Sequence, residues 1–231
     1  MNTNKAVISG DVISFTSLND PDRYKVENAL KEVISELYKK FNGFGRVIKG
    51  DYLEYYLPNP NDALRAALAI KCFLKSIPIS KNYSSDKKVK LFMTYAIRLA
   101  VGIGKISRFD PKKGIIDGEA IYFSGRTISE NTSHGKGRSF IKETLFIKTY
   151  NDDLTSRLEP LFALLDNLLS KTTSKQSEVL YFKLMGLNEE AIALKMKILQ
   201  PTVNQHSTSA GWNAIEKAVL NFENSINFDL E

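Results

Sequence analysis

The chain has 231 residues, 43% of them hydrophobic and 25% charged, which suits one globular domain with a small appendage. The formal net charge of +6 hints at nucleic acid or phosphate ligands. No segment has the apolar length of a membrane span, and the single cysteine, Cys72, excludes an intramolecular disulfide and suits a reducing cytoplasm.

The first part of the chain alternates strand and helix signals. In chain order these are a strand at 5–13, a helix at 21–41, a hairpin at 46–57 and a helix at 62–76. A Gly-Asp pair, Gly10-Asp11, interrupts the first strand, and a second pair, Gly50-Asp51, forms the turn of the hairpin.

The next part predicts a long strand and further helices. Apolar alternation runs from Val89 to Lys105 and is followed by a turn-rich stretch at 107–118. Helices are expected at 119–131 and 154–169, with one or two strands between them at 138–150. This order predicts an α+β fold, a ferredoxin-like sheet with helices on one face.

A Ser/Thr/Lys-rich stretch at 170–175 marks the predicted domain boundary. We predict an α+β domain at 1–152, a connecting helix and linker at 153–172, and a helix-turn-helix domain at 173–231. From residue 171 onward the chain has six lysines, no arginine and seven acidic residues, so the basic excess lies in the α+β part.

The two aspartates of the Gly-Asp pairs are the main candidates for chemistry. Asp11 lies in an apolar strand and Asp51 in a turn between apolar strands, where an ionised carboxylate is costly unless a cation or hydrogen bonds compensate it. Two such carboxylates could hold Mg²⁺ together with substrate phosphates. An ordinary Gly-Asp turn is the alternative, and for Asp51 alone it is the favoured one.

Five segments resemble the catalytic domain of class III nucleotidyl cyclases. They follow the family's order over roughly the first 150 residues, at 11–18, 48–51, 62–68, 97–106 and 118–126. The resemblance implies that Asp11 and Asp51 bind Mg²⁺ or Mn²⁺ at a nucleoside triphosphate, and that Arg126 stabilises the transition state. It also implies a head-to-tail homodimer and a phosphate cradle made by the backbone amides of Val12, Ile13, Ser14, Phe15 and Thr16.

Three positions depart from the cyclase pattern. Tyr122 replaces an Asn that stabilises the transition state in the family, and Val47 and Ile115 replace polar residues associated with base recognition. An apolar side chain cannot read a base edge by hydrogen bonding. The departures predict a metal- or nucleotide-binding shell rather than an efficient cyclase.

The segment from Thr173 to Glu223 has the pattern of a helix-turn-helix. Gly186 breaks the first helix, Glu189 and Glu190 open the second, and Pro201 suits the first turn of the third. The segment resembles the LuxR and sigma-factor region-four type of motif. Its combination with a cyclase-like part resembles the SatD family, which implies a regulatory role.

DNA binding would place the third helix in the major groove, where Asn and Gln can pair with adenine. The predicted DNA contacts are Gln200, Thr202, Asn204, Gln205, Thr208, Lys195 and Lys197. However, the stretch from Gln200 to Gly211 has no Lys or Arg, although phosphate contacts dominate affinity. A helical module that packs on the first domain or mediates dimers is the competing interpretation.

The predicted function is a cytoplasmic, homodimeric, DNA-binding transcriptional regulator, whose degenerate cyclase-like domain senses a nucleotide or dimerises. One alternative is an active metal-dependent nucleotidyl cyclase or a related nucleotide enzyme. The other is a non-catalytic interaction scaffold in which both motifs are relics.

Overall fold

The computed structural model describes residues 4–80, 86–133 and 143–228. Its strands are β1 Asn4–Val12, β2 Phe44–Ile48, β3 Tyr52–Leu57, β4 Ile97–Asp110, β5 Ile115–Gly118 and β6 Leu145–Thr149. They form a sheet of order β2-β3-β1-β4-β5, in which β6 pairs in parallel with β4 and the other described pairings are antiparallel.

The helices are α1 Asp20–Phe41, α2 Ala63–Ser76, α3 Lys87–Tyr95, α4 Glu119–Ser133, α5 Asp152–Ser170, α6 Ser174–Leu184, α7 Glu189–Met196, α8 Gln200–Ser209 and α9 Trp212–Phe228. Within the described ranges, none of them combines the length and the apolar character needed to cross a bilayer.

The mixed α and β architecture of the prediction is confirmed. The chain runs β1, α1, β2, β3, α2, α3, β4, and the strand order β2-β3-β1-β4 is the ferredoxin-like one. The main apolar core lies between this sheet and helices α1 and α2, with Ile8, Leu30 and Leu64 fully buried in it.

Helices cover both faces of the sheet, so the prediction of helices on one face is wrong. Helix α4 lies on the second face against β4 and β1, where the hydroxyls of Ser9 and Ser124 are 2.8 Å apart. Gly102 leaves no room for a side chain beneath the Ala120 carbonyl of α4. A strand of small residues on this face lets a helix approach closely, which alternation of apolar residues alone does not reveal.

The predicted strand at 89–105 begins only at Ile97, and the preceding segment is helix α3. The Asp86 carboxylate caps this helix by accepting hydrogen bonds from the amides of Lys88 (2.8 Å) and Val89 (3.3 Å). Val89 and Phe92 are both buried, at the i, i+3 spacing of one helix face. The cap and this spacing make the segment a helix, although its apolar pattern is also compatible with a strand.

The other predicted element boundaries differ less from those of the structure. Strand β4 continues to Asp110 and pairs with β5, so the segment predicted as turns at 107–118 is a hairpin that turns at 111–114. The predicted strand region at 138–150 contains β6, while its residues 138–142 lie outside the described part of the chain.

The C-terminal helices extend the main core without a break in packing. Helix α6 lies along α2, and Leu180, Ile215 and Phe222 belong to the same buried cluster as the α2 residues. The Arg65 guanidinium of α2 lies 2.9 Å from the Glu223 carboxylate of α9. The division at residues 172 and 173 falls at a turn between α5 and α6, and an independent domain there stays a prediction.

Candidate functional site

Asp11 is the penultimate residue of β1, and its neighbour Gly10 explains why this strand carries a Gly-Asp pair. A Cβ at Gly10 would lie 2.7 Å from a Leu99 methyl group and 2.9 Å from an Ile97 methyl group, so a side chain cannot fit on the core face. Asp11 points to the opposite face because side chains alternate along a strand.

Asp51 follows the tight turn between β2 and β3. Lys49 and Gly50 have φ angles of 54° and 83°, in the left-handed region, within the three-residue connection 49–51 between the paired residues Ile48 and Tyr52. The turn therefore forms as the Gly-Asp signal predicts.

The fold brings the two aspartates to the same corner of the sheet. The Val12 amide donates a hydrogen bond to the Asp51 carbonyl oxygen at 3.0 Å, which ties the end of β1 to the hairpin turn. Burial raises the pKa of Asp11, Arg98 opposes this effect, and the negative charge of Asp51 raises the pKa further. The two carboxylates are therefore close enough to influence each other electrostatically.

Arg98 of β4 is a site residue that the sequence interpretation missed. It pairs with Asp11 in the strand register, and its Nη1 lies 3.1 Å from Oδ2 of Asp11 and 3.1 Å from the Thr132 hydroxyl. Its Nε is buried and has no hydrogen-bond partner among the described residues. An arginine at the start of an otherwise apolar strand was the available signal, because a buried guanidinium requires a partner.

Polar side chains continue from this corner along the second face of the sheet. Tyr52 pairs with Asp11 in the register, and burial is the main cause of its raised pKa. Glu54, on the next row of β3, accepts a hydrogen bond of 2.6 Å from Nε of Arg46 on β2. The corner is therefore the end of a polar strip rather than an isolated pair of acids.

The predicted phosphate cradle is only partly free to bind. The amide of Val12 is bonded to Asp51, and that of Ile13 donates to the Ala96 carbonyl at 3.0 Å, so neither can point an N–H at a ligand. Ser14 has a left-handed φ of 56° and precedes a short 3-10 turn at Phe15–Ser17. The amides of Ser14, Phe15 and Thr16 remain the candidates.

Arg126 is exposed on α4 and is not among the charges that shift the pKa of Asp11. It lies near Tyr122, whose hydroxyl donates a hydrogen bond of 2.8 Å to the Asp117 carboxylate. Val47 lies on the β2 side that packs toward the main core, and Ile115 opens β5. Among the contacts of the described residues within one chain, none joins Arg126 to Asp11 or Asp51.

The predicted DNA-contacting residues lie mainly on the exposed side of the α7–α8 pair. Glu189, which opens α7, was not anticipated there: its carboxylate accepts hydrogen bonds from Gln200 (2.6 Å) and Asn204 (3.4 Å). Lys183 is also 2.9 Å from it and is the main cause of its lowered pKa. The ionised Glu189 carboxylate is therefore hydrogen-bonded to two of the side chains that were predicted to read bases.

The predicted set does not share one face of α8. At about 100° per residue, Thr202 lies roughly 160° around the helix from Asn204. Gln200, Asn204 and Thr208 follow one edge, and Gln205 lies between that edge and Thr202. Lys195 and Lys197 are exposed at the end of α7 and in the turn before α8.

The acidic pair has the donor chemistry of a divalent cation site. Mg²⁺ and Mn²⁺ prefer carboxylate oxygens, and a cation would offset both the burial of the Asp11 carboxylate, which is the main cause of its raised pKa, and the smaller repulsion from Asp51. The described residues hold no cluster of three or more His, Cys, Asp or Glu side chains that could bind a metal. Two carboxylates would therefore need ligand phosphates or water to complete the coordination.

No protein-family model and no curated protein matches the chain. Similar solved structures include a bacterial light-regulated adenylyl cyclase, with 14% identity and a TM-score of 0.41, covering 63% of this chain and 75% of that one. A second is the non-canonical dimeric guanylyl cyclase domain of the RhoGC fusion protein from the aquatic fungus Blastocladiella emersonii, with 15% identity and a TM-score of 0.40, covering 55% and 74%. A third is the adenylyl cyclase CyaB from P. aeruginosa, with 15% identity and a TM-score of 0.34, covering 55% and 71%. The TM-scores are below 0.5, so these likenesses assign no function.

Proposed function

We propose that the chain binds a nucleoside triphosphate with a divalent cation at Asp11 and Asp51, and that this binding regulates the C-terminal helices. The observation that carries the proposal is the convergence of the two carboxylates at one corner of the sheet. The cyclase-like sequence motifs around both aspartates support it.

Each residue of the corner has a defined task in this proposal. Asp11 and Asp51 hold the cation, which would neutralise phosphate charge when bound. Arg98 orients Asp11 from 3.1 Å, and its guanidinium also favours an anionic ligand nearby. The amides of Ser14, Phe15 and Thr16 follow the end of β1 in the chain and suit phosphate oxygens.

The surroundings of the residues that depart from the cyclase pattern favour nucleotide sensing over catalysis. The Tyr122 hydroxyl is held by Asp117, and the Val47 side chain lies against the main core. Neither reproduces the role of a polar side chain at the reacting groups or the base. An active nucleotidyl cyclase is the alternative, and it would require a homodimer in which a second copy supplies Arg126.

The binding proposal is tested by calorimetric titration of each nucleoside triphosphate with Mg²⁺ or Mn²⁺. Saturable binding that Asp51→Ala abolishes and Asp153→Asn, a change at an exposed acid of α5, leaves intact would support it. Release of pyrophosphate that also depends on Asp51 would establish the cyclase alternative instead. Absence of binding with every nucleotide would reject both and favour the interaction scaffold.

We also propose that α7 and α8 contact DNA, and that nucleotide binding regulates this contact. The supporting observation is the packing of α7 and α8 against α6 through Val179, Ile192 and Val203, with a left-handed Lys197 (φ 55°) in the turn. A homodimer would present two such pairs to a palindromic site.

Fluorescence anisotropy with genomic DNA fragments tests the output separately, at low and moderate salt and with or without nucleotide. Saturable binding that Lys197→Gln weakens and Glu189→Gln strengthens is expected, because the first removes a phosphate contact and the second removes an acid from the reading face. No saturable binding at either salt concentration would exclude the DNA role and leave nucleotide binding unaffected.

A further inference from the structure

A cavity of about 340 Å³ lies where the C-terminal helices meet the α/β part. Helices α1 and α2 line one side of it, and α6 and α7 line the other. We call it the junction pocket, and its defining residues are Phe73, Tyr181 and Phe182, which form an aromatic wall, and Glu32, Lys40 and Lys195, which form a charged rim. Its volume is within the range of small-molecule sites, about 300 to 1,000 Å³.

The three rings of the aromatic wall are neighbours that are tilted by 54° and 55° to one another, and Tyr181 is itself buried. The ring centroids of Phe73 and Tyr181 are 4.7 Å apart, and those of Tyr181 and Phe182 are 5.2 Å apart. Three neighbouring rings from two helices offer apolar area and π faces to a planar molecule. This favours an aromatic ligand over an aliphatic one of the same size.

The positive charges of the rim are held close to this wall. Lys195 Nζ lies 5.4 Å from the ring centroid of Phe182. Lys40 Nζ donates a hydrogen bond of 3.0 Å to the Met185 carbonyl, which fixes the ammonium group at the pocket and leaves further N–H donors. Two ammonium groups therefore lie beside the rings, and Lys40 also lies within electrostatic reach of the Arg65 cation and of the Asp62 and Glu223 carboxylates.

The negative charges are partly neutralised. Glu36, which also lines the pocket, is paired with Lys39 at 2.6 Å, whereas Glu32 has no ion pair among the described residues. The Tyr181 hydroxyl adds a donor: burial and the charges of Glu36 and Glu32 raise its pKa, so it keeps its proton. Donors and positive charge thus exceed free acceptors at this pocket.

We propose that the junction pocket binds a small planar aromatic anion, with its ring on Phe73 and Phe182 and its anionic group at Lys195 and Lys40. This site is separate from the proposed nucleotide site, since neither Asp11 nor Asp51 contributes to it. Because α7 supplies Lys195, a bound molecule would contact both the α/β part and the α7–α8 pair. The site would therefore couple a small-molecule signal to the C-terminal helices.

The test uses the full chain and 1-naphthalenesulfonate, a fluorescent aromatic anion, with 1-naphthylmethylamine as the cationic counterpart of similar size. We expect saturable binding of one anion per chain and weaker binding of the cation. Lys195→Gln should weaken the anion by about threefold to fivefold, and Glu32→Gln should tighten it by a similar factor, the range of one partly exposed charge pair. Lys217→Gln, at an exposed lysine of α9, is the matched control and should change nothing.

Opposite effects of the two rim substitutions, with an unchanged control, would establish the site. The proposal is overturned if the affinity for the anion is the same in Lys195→Gln, Glu32→Gln and the original chain, or if the cation binds more tightly. Phe182→Leu should also weaken the anion while the circular dichroism spectrum is retained. Glu32, Lys195 and Lys217 are exposed, so we expect their substitutions to preserve the fold.

Discussion

Two ion pairs inside the α/β part differ in how completely their polar atoms are satisfied. Lys71 of α2 and Asp166 of α5 lie 3.2 Å apart, with side chains that are 1% and 4% exposed. Lys71 also donates to the Thr144 hydroxyl (2.6 Å) and to the carbonyls of Ile97 (3.0 Å) and Tyr95 (3.2 Å). The Thr144 amide and hydroxyl both donate to Asp166, so the network is closed.

The pair formed by Asp11 and Arg98 is open by comparison. The Asp11 side chain is 27% exposed, a second acid faces it, and Arg98 Nε is buried with no partner among the described residues. A closed network contributes to a unique fold, whereas an open one leaves charge for a ligand to complete. The difference separates a structural ion pair from a candidate binding site within the same sheet.

The largest expected effect is in the closed network. Lys71→Met leaves Asp166 buried without its cation, and we expect the free energy of unfolding to fall by about 3 to 5 kcal/mol. Urea denaturation at pH 7 measures it. The double variant Lys71→Met/Asp166→Leu removes both charges and should recover part of the loss. A single-variant loss below about 1 kcal/mol would contradict the structural assignment.

Lys75 sharpens the comparison because it is a buried cation whose Nζ donates to the carbonyls of Leu169 and Ser170 instead of a carboxylate. Burial, and then repulsion from Lys71, lower its pKa to about 8. Between pH 7 and 9 the unfolded chain keeps this proton while the folded chain loses it, so the contribution of Lys75 to stability rises with pH. The difference in unfolding free energy between the original chain and Lys75→Met should increase by about 1.4 kcal/mol over that range. A pH-independent difference would refute the lowered pKa.

At the corner formed by Asp11, Arg98 and Asp51, substitution should affect ligand binding more than stability. Asp51→Asn removes a repulsive charge from Asp11, so we expect the unfolding free energy to change by less than about 1 kcal/mol. Binding of Mn²⁺ with a nucleoside triphosphate should weaken by about tenfold or more, since one of two carboxylate ligands is lost. In the original chain that binding should also weaken as pH falls, because protons compete for Asp11, whose pKa is raised. A large loss of stability would show that this corner is structural, like the Lys71 network.

The smallest effect is expected at the contact between α2 and α9. Arg65 and Glu223 lie 2.9 Å apart, and their side chains are 21% and 24% exposed. Arg65→Gln should reduce the unfolding free energy by about 0.2 to 1 kcal/mol, the worth of a partly exposed pair. Thermal denaturation tests this, with Arg157→Gln on the exposed surface of α5 as the control. A loss comparable to that of Lys71→Met would mean that this pair holds the C-terminal helices in place.

Local sequence signals correctly predicted those elements in which the apolar periodicity agrees with the cap and turn residues at the ends. The turn at Gly50-Asp51 and helix α1, which begins after the Asn19 cap and ends before Asn42, lie where turn and cap chemistry place them. Helix α3 was missed because its apolar residues fit two periods, and the Asp86 cap was not recognised. The covering of the second face by α4 was missed because it depends on the absence of side chains at positions such as Gly102.

The sequence by itself determined the existence of the acidic pair, since Gly10 and Gly50 each place an aspartate at an unusual point of a strand or turn. Only the tertiary structure decided what surrounds them. Arg98 reaches Asp11 through strand register across 87 residues of chain, and Glu189 reaches Asn204 by the crossing of α7 and α8. Such contacts depend on register and helix packing, which distant segments settle together, so the residues on either side carry no local signal of their partner.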